Sequence, residues 1–209
     1  MSKRTLSEEI GDQKKRGVLL VLTGPTGAGK DGLFSKLLEK DPGLTRVITT
    51  SSREKREGEA EGNPYSFISR DAFEAKIAQG DFFEWVEFRG ALYGTQKKTI
   101  EDAFASGKDI IWHIDARGVK NIKAKVKELF PRSVFVFLTA STIEELERRV
   151  KKDEQEGVIH HRWNSSLVAW EIEQYDDCDY VVVNEEGALD KTVENVLAIM
   201  MAKRLEVFH

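Results

Sequence analysis

The stretch Leu22 to Leu33, LTGPTGAGKDGL, constrains this chain more than any other. It fits G-x-x-x-x-G-K, with Gly24, Gly29 and Lys30 in register. The apolar run GVLLVL before it has the pattern of a strand buried on both faces. The run after it carries Leu33, Phe34, Leu37 and Leu38 at helical spacing, and Asp-Pro-Gly stops it. Strand, glycine turn and helix are the setting that a phosphate-binding loop requires. In such a loop the backbone N–H groups converge on one anion, and the helix N-terminus adds positive potential. Gly24, Pro25, Thr26, Gly27, Ala28 and Gly29 would form that cradle, with the three glycines permitting its tight path. Lys30 would reach the β- and γ-phosphates of ATP as a point charge.

Asp31 stands where a serine or threonine hydroxyl is expected, and two readings are open. Its carboxylate can bind Mg²⁺ directly or through water, since magnesium favours carboxylate oxygens. Without the cation, a carboxylate beside polyphosphate is costly. Two unit charges about 4 Å apart interact by about 4 kcal/mol at an effective dielectric of about 20. Alternatively, Asp31 only occupies a first helical turn, where the macrodipole favours an acid.

Further buried-strand patterns lie at 109–115 (DIIWHID), 133–140 (SVFVFLTA) and 179–185 (DYVVVNE). Helical patterns separate them at 118–130 and from 141 into the 160s, and a last one covers 190–205. This alternation predicts an α/β domain with a mainly parallel sheet. Residues 49–106 break the rhythm with hydrophilic SSREKREGEAEGNPY, short aromatic strands (YSFIS, DFFEWVEF) and a small helix. They read as an inserted subdomain on the rim where strand ends meet ligands. Residues 1–16 read either as a loosely ordered polar leader or as a start-site extension without function. The remaining 17–209 suit one domain.

Lys and Arg total 32 against 36 Asp and Glu, a net charge of −4 that argues against a dedicated nucleic-acid binder. No apolar run approaches membrane-spanning length. The single cysteine, Cys178, excludes an internal disulfide and suits a cytoplasmic protein.

GPTGAGK, SSREKREGEAEGNPYSF, FFEWVEFRGALYGT, GKDIIWHIDARG and VVVNEEG occur in the order and spacing of guanylate kinases, from about residue 18 onward. The chain resembles that family over nearly its whole length. The resemblance implies a P-loop kinase fold with a monophosphate-binding insert at 49–106 and a short lid at 148–166. It implies that Arg53, Arg56, Tyr65 and Tyr93 hold the acceptor phosphate, for which arginine forks are well shaped. Glu84 would read guanine, whose N1–H and exocyclic amine are adjacent donors. Thr49 and Thr95 would add hydroxyls. Asn184 would lie near the adenine of ATP, and Asp31 and Asp115 at the metal. Lys30, with Arg149 and Arg162 of the lid, would neutralise the transferring phosphoryl group. Trp85, beside Glu84, reads as packing.

Two departures stand out. The family usually ends its "ILDID"-like strand with two aspartates, whereas IWHID has His113 in the first place and only Asp115 in the second. A histidine has a mixed donor–acceptor edge and a titratable charge, so it either alters guanine recognition or fills the strand end. The lid is short and carries few arginines; Arg148, Lys151, Lys152, His160 and His161 are its other basic groups. Three functions follow as expectations. The first is a kinase for a nucleoside monophosphate, GMP or dGMP, using ATP and Mg²⁺ as a monomer or homodimer. The second is a kinase for a sugar phosphate such as ribose 1,5-bisphosphate, because such kinases also carry Gly-Lys-Asp at the loop. The third is a non-catalytic guanylate kinase-like binding module, against which the intact Gly24, Gly29 and Lys30 count.

Overall fold

The computed structural model describes residues 17–55, 58–63, 65–88, 90–156 and 163–206. Its central element is β1 (Leu19–Thr23), whose five residues are all buried. They are buried because parallel strands flank both edges, β7 (Ile110–His113) on one side and β8 (Ser133–Thr139) on the other. β2 (Thr45–Arg46) extends the sheet past β7, and β9 (Tyr180–Val183) extends it past β8. The order is β2-β7-β1-β8-β9, parallel throughout, as the strand–helix alternation predicts.

Alternate side chains of β1 serve opposite layers. Leu20 and Leu22 join Leu33, Phe34 and Leu37 of α1 (Lys30–Lys40) and Val193 and Val196 of α7 (Leu189–Arg204). Leu19 and Val21 join Ile100 and Ala103 of α3 (Lys97–Ala105) and Val119, Ile122 and Val126 of α4 (Ala116–Leu129). Each such aliphatic side chain contributes roughly 1.5–3 kcal/mol on full burial, so these two layers hold most of the stability. The chain winds from β1 out to β2, back to β7, and then across β1 to β8. A reversal of this kind opens a crevice at the carboxyl ends of the strands.

A second sheet, order β4-β3-β6-β5, stands apart. It consists of β3 (Thr50–Ser51), β4 (Ser66–Phe67), β5 (Phe82–Phe88) and β6 (Ala91–Gln96). Its own core is Phe73, Phe82 and Leu92, with Phe73 supplied by α2 (Arg70–Ala78). The Phe73 and Phe82 rings stack with centroids 4.2 Å apart. The aromatic strands and small helix expected here form. β6 is the partner that the pattern missed, because ALYGTQ mixes small and polar residues. Trp85 does not pack inside: it lies on the outward face of β5 and is 47% exposed. α3 already packs on the large sheet, so the chain rejoins the main body by Lys97.

The helical pattern expected to run from 141 into the 160s divides. α5 (Ile143–Gln155) starts where the Thr142 hydroxyl accepts the Glu145 N–H. α6 (Ser165–Glu173) has its own start, the Asn164 side chain accepting the Leu167 N–H. The Asn-Ser-Ser run was the signal for that second start, being cap chemistry inside an otherwise helical stretch. The leader at 1–16 and the lid residues 157–162 lie outside the described residues. Among the described residues no helix is long and apolar enough to cross a membrane.

Phe73→Ala should lower unfolding free energy by about 3 kcal/mol or more, the usual cost of emptying a buried aromatic site. Urea unfolding measures it. A loss below about 1 kcal/mol would mean that the main body, not this small core, holds the second sheet.

Candidate active site

The loop leaves β1 with Gly24, Gly27 and Gly29 all at positive φ (145°, 86° and 86°). Gly24 also passes so close to β8 that a Cβ there would stand 2.0 Å from the Leu138 carbonyl oxygen. The Lys30 ammonium donates to the carbonyls of Gly24 (2.7 Å) and Pro25 (2.8 Å), which holds it at the mouth of the loop. Burial lowers the Lys30 pKa, while the charges of Glu171, Asp31 and Asp115 raise it. Three carboxylates therefore surround the loop's one cation.

Two polar props support the loop from below. The Glu171 carboxylate of α6 accepts the Thr26 N–H at 2.9 Å. On the other side the Asn184 side-chain amide donates to the Ala28 carbonyl at 2.9 Å and accepts from the Thr192 hydroxyl at 3.1 Å. Both ends of the Asn184 side chain are thus committed. In this structure Asn184 buttresses the loop. A Cβ on Gly29 would lie 2.5 Å from the Asn184 Nδ2 and 4.0 Å from an Arg149 Nη1. Arg149 reaches this point because it donates to the Asn184 carbonyl (2.7 Å) and pairs with Glu145 one turn back. Arg149 of α5 thus lies beside the loop. Sequence reasoning missed Glu171 and Glu145. Each is one acid in a helical pattern, indistinguishable there from a solvated face.

Strand register brings three further groups together. Arg46 pairs with Ile111, and Leu22 with His113, so Arg46 and His113 share the face of the sheet that α1 covers. The Arg46 guanidinium lies 4.6 Å above the Phe34 ring, one turn along α1 from Asp31. Burial, and then the Lys30 charge, pull the His113 pKa down to about 4, with Asp31 opposing. His113 is accordingly a neutral imidazole near neutral pH.

Asp115 has a structural task. Its Oδ1 caps α4 by accepting the Arg117 N–H (3.0 Å), and its two oxygens also take the Arg117 Nε (2.8 Å) and Nη2 (3.2 Å). A carboxylate so engaged is a poor direct metal ligand. Asp31, by contrast, is exposed in the first turn of α1. Among the described residues no three His, Cys, Asp or Glu side chains form a metal cage. Magnesium needs none: it commonly takes one or two carboxylates and completes its shell with substrate phosphates and water. Asp31 fits that donor set.

Across the crevice, Arg53 is gripped by Glu59 in two parallel hydrogen bonds of 2.5 Å. Its guanidinium lies 5.2 Å from the ring centroids of Tyr65 and Phe67. Tyr65 meets Tyr93 edge-on at 5.8 Å. Burial, and then the Asp31 carboxylate, push the Tyr65 pKa up to about 12, so its hydroxyl stays a donor. Thr49 anchors β4 through its carbonyl, which accepts the Ser66 N–H at 2.9 Å. Arg56 and Arg162 lie outside the described residues.

Glu84 is set by a relay. The buried Trp112 Nε1–H donates to the Thr95 hydroxyl (2.9 Å), which therefore turns its own proton to the Glu84 Oε1 (2.7 Å). The Glu84 Oε2 lies on the side of α4's first turn, 3.6 Å from where a Gly118 Cβ would be. Burial raises the Glu84 pKa to about 7 against the hydrogen bonds from Thr95.

These residues stand in a matching frame. The guanylate kinase family model matches residues 16–203. The chain belongs to the guanylate kinase family. A guanylate kinase of Halalkalibacterium halodurans is 38% identical over 193 residues, 91% of each chain. One of Carboxydothermus hydrogenoformans is 37% identical over 194 residues, again 91% of each. The crystal structure of guanylate kinase from Anaplasma phagocytophilum superposes with a TM-score of 0.71 at 27% identity, covering 92% of this chain and 88% of that one. The sequence resemblance and the P-loop kinase fold thus agree.

The raised Glu84 pKa has a stability consequence of definite sign. Between pH 4.5 and about 7 the folded protein holds a proton that the unfolded chain has released. Stability relative to Glu84→Gln is therefore full below pH 4.5 and declines as pH rises to about 7. The total decline should be at most about 3 kcal/mol. Parallel urea titrations of the two proteins across this range measure it; curves that stay parallel would refute the raised pKa.

Proposed function

We propose that this chain transfers the γ-phosphoryl group of ATP to GMP or dGMP, with Mg²⁺. The observation that carries this reading is the Trp112–Thr95–Glu84 relay, which fixes a desolvated carboxylate beside the first turn of α4. A carboxylate there suits guanine, whose two adjacent donors it can accept together. The relatives named guanylate kinase support the same acceptor for this chain.

The chemistry asks mainly for positioning and charge. An acceptor phosphate is already nucleophilic, so no general base is required. Arg53, kept in a fixed orientation by Glu59, and the Tyr65 hydroxyl would hold that phosphate. Tyr93 would support Tyr65 through its edge contact. Lys30 would leave its two carbonyl partners for the donor polyphosphate. Arg149 stands close enough to the loop to neutralise charge developing at the γ-phosphoryl group. Mg²⁺, when bound, supplies further charge neutralisation on the polyphosphate, and Asp31 is the side chain placed to hold it. Closure of residues 148–166 would exclude water and so favour transfer over hydrolysis. The neutral imidazole of His113 offers a donor and an acceptor without adding charge beside Lys30.

The Gly-Lys-Asp loop gives the sugar-phosphate reading its one support. A sugar phosphate gives Glu84 nothing to read. An acceptor panel of GMP, dGMP, AMP, UMP, CMP and ribose 1,5-bisphosphate with ATP–Mg²⁺ separates the readings. Turnover confined to GMP and dGMP is expected. Lys30→Ala should abolish that turnover while the fold survives, and full activity would refute its role. Glu84→Gln should raise the GMP KM about 10- to 100-fold, the cost of a lost charged hydrogen bond. In the wild type the GMP KM should fall from about pH 6 to about pH 8 as Glu84 ionises, and this dependence should vanish in Glu84→Gln. Asp31→Ser should shift the magnesium titration more than the nucleotide affinity. Identical magnesium titrations would remove Asp31 from the metal.

A further inference from the structure

Glu171 has no place in the mechanism above, yet it is the carboxylate built most firmly into the loop. It is 4% exposed, an unusual state for a glutamate, and its Oε2 accepts the Thr26 N–H at 2.9 Å. The helix that carries it, α6, is anchored separately: Val168 is buried in the layer under α1, and Ile172 and Trp163 pack against that layer. Glu171 is thus delivered to the loop by a packed scaffold and does not depend on Thr26 for its place.

The loop's amides divide accordingly. Thr26 N–H is taken by Glu171, and Ala28 N–H by the Pro25 carbonyl at 3.2 Å. On the other side the Ala28 carbonyl is held by Asn184. The N–H groups of Gly27, Gly29 and Lys30 make no such bond among the described residues. A carboxylate would be repelled by a polyphosphate seated beside it. Its presence at Thr26 therefore marks that corner as one that phosphate does not occupy.

We infer that Glu171 is a positioning residue for the nucleotide donor: by holding the Thr26 amide out of the cradle, it selects the Gly27, Gly29 and Lys30 amides as the polyphosphate seat. This rests on the reading of the loop as the ATP site. It assigns α6, the helix entered at the end of the lid segment, a direct hold on the loop. The effect should fall on the donor and not on the acceptor, since Glu171 touches nothing in the second sheet by a hydrogen bond.

Three variants test it: Glu171→Ala removes the acceptor, Glu171→Gln keeps an oxygen for Thr26, and Glu171→Asp keeps the charge but draws it back. In the ligand-free protein, amide exchange at Thr26 should be about tenfold faster in Glu171→Ala and Glu171→Asp, and close to wild type in Glu171→Gln. With substrates, the ATP KM of Glu171→Ala and Glu171→Asp should rise about tenfold while the GMP KM stays within about twofold. Glu171→Gln should recover the ATP KM to within about threefold. Thr26 exchange that is unaltered in Glu171→Asp would overturn the inference. So would ATP and GMP KM values that rise together, or a Glu171→Gln that behaves like Glu171→Asp. If Glu171→Ala does not fold, the other two variants carry the same contrasts. Wild-type protein that turns over no ATP would refute the kinase reading instead, and the exchange measurements would still decide what Glu171 does.

Discussion

The parallel pairing of β1 with β7 on one edge and β8 on the other is the constraint on which the site depends. It buries β1 completely, so the strand has almost no freedom to shift. The loop that follows inherits this rigidity, tightened by the close pass of Gly24 against Leu138. The same pairing delivers His113 beside the loop, and the β8–β9 pairing sets Thr139 beside Asn184. One buried strand thereby fixes the glycine loop, while Glu84 and Tyr93 lie on a second sheet with its own small core.

Electrostatics in the crevice is organised around separated carboxylates. Asp115 is neutralised by Arg117 and ends a helix dipole. Glu84 is desolvated and has a pKa near 7. Glu171 is tied to an amide, and Asp31 alone faces solvent. Four acids within one site thus differ in task because their partners differ, not their chemistry. Lys30 stands among three of them and remains the only lysine that the loop presents to a polyphosphate.

Much of this was legible in the residues. The loop is a contiguous motif with strand and helix on either side, so its place followed from local pattern. The parallel sheet followed from runs of Val, Leu and Ile too continuous for a half-exposed strand. Arg53, Tyr65, Glu84 and Tyr93 stood out only through the spacing of a known family, because each alone looks like surface or core. What stayed hidden was long-range. Asn184 and Ala28 are 156 positions apart, and Glu171 and Thr26 are 145 apart. No period or local spacing encodes such pairs. The lock between Asp115 and Arg117 carried no signal of its own in the sequence, and only the folded geometry shows it. The division of the long helical pattern into α5 and α6 was written in Asn164-Ser165-Ser166, cap residues that amphipathic periodicity overrode.

The contact between Gly29 and Asn184 reaches beyond this one molecule. Because Asn184 occupies the space a side chain at 29 would need, the two positions are not independent variables. Clearing that space would mean changing residue 184, which would release the Ala28 carbonyl, and the positive φ of Gly29 (86°) would still disfavour a side chain there. The steric and the backbone constraints add, so drift at 29 is resisted even when 184 changes. The loop therefore resists change at Gly29 for a reason that lies outside its own motif, at the far end of β9.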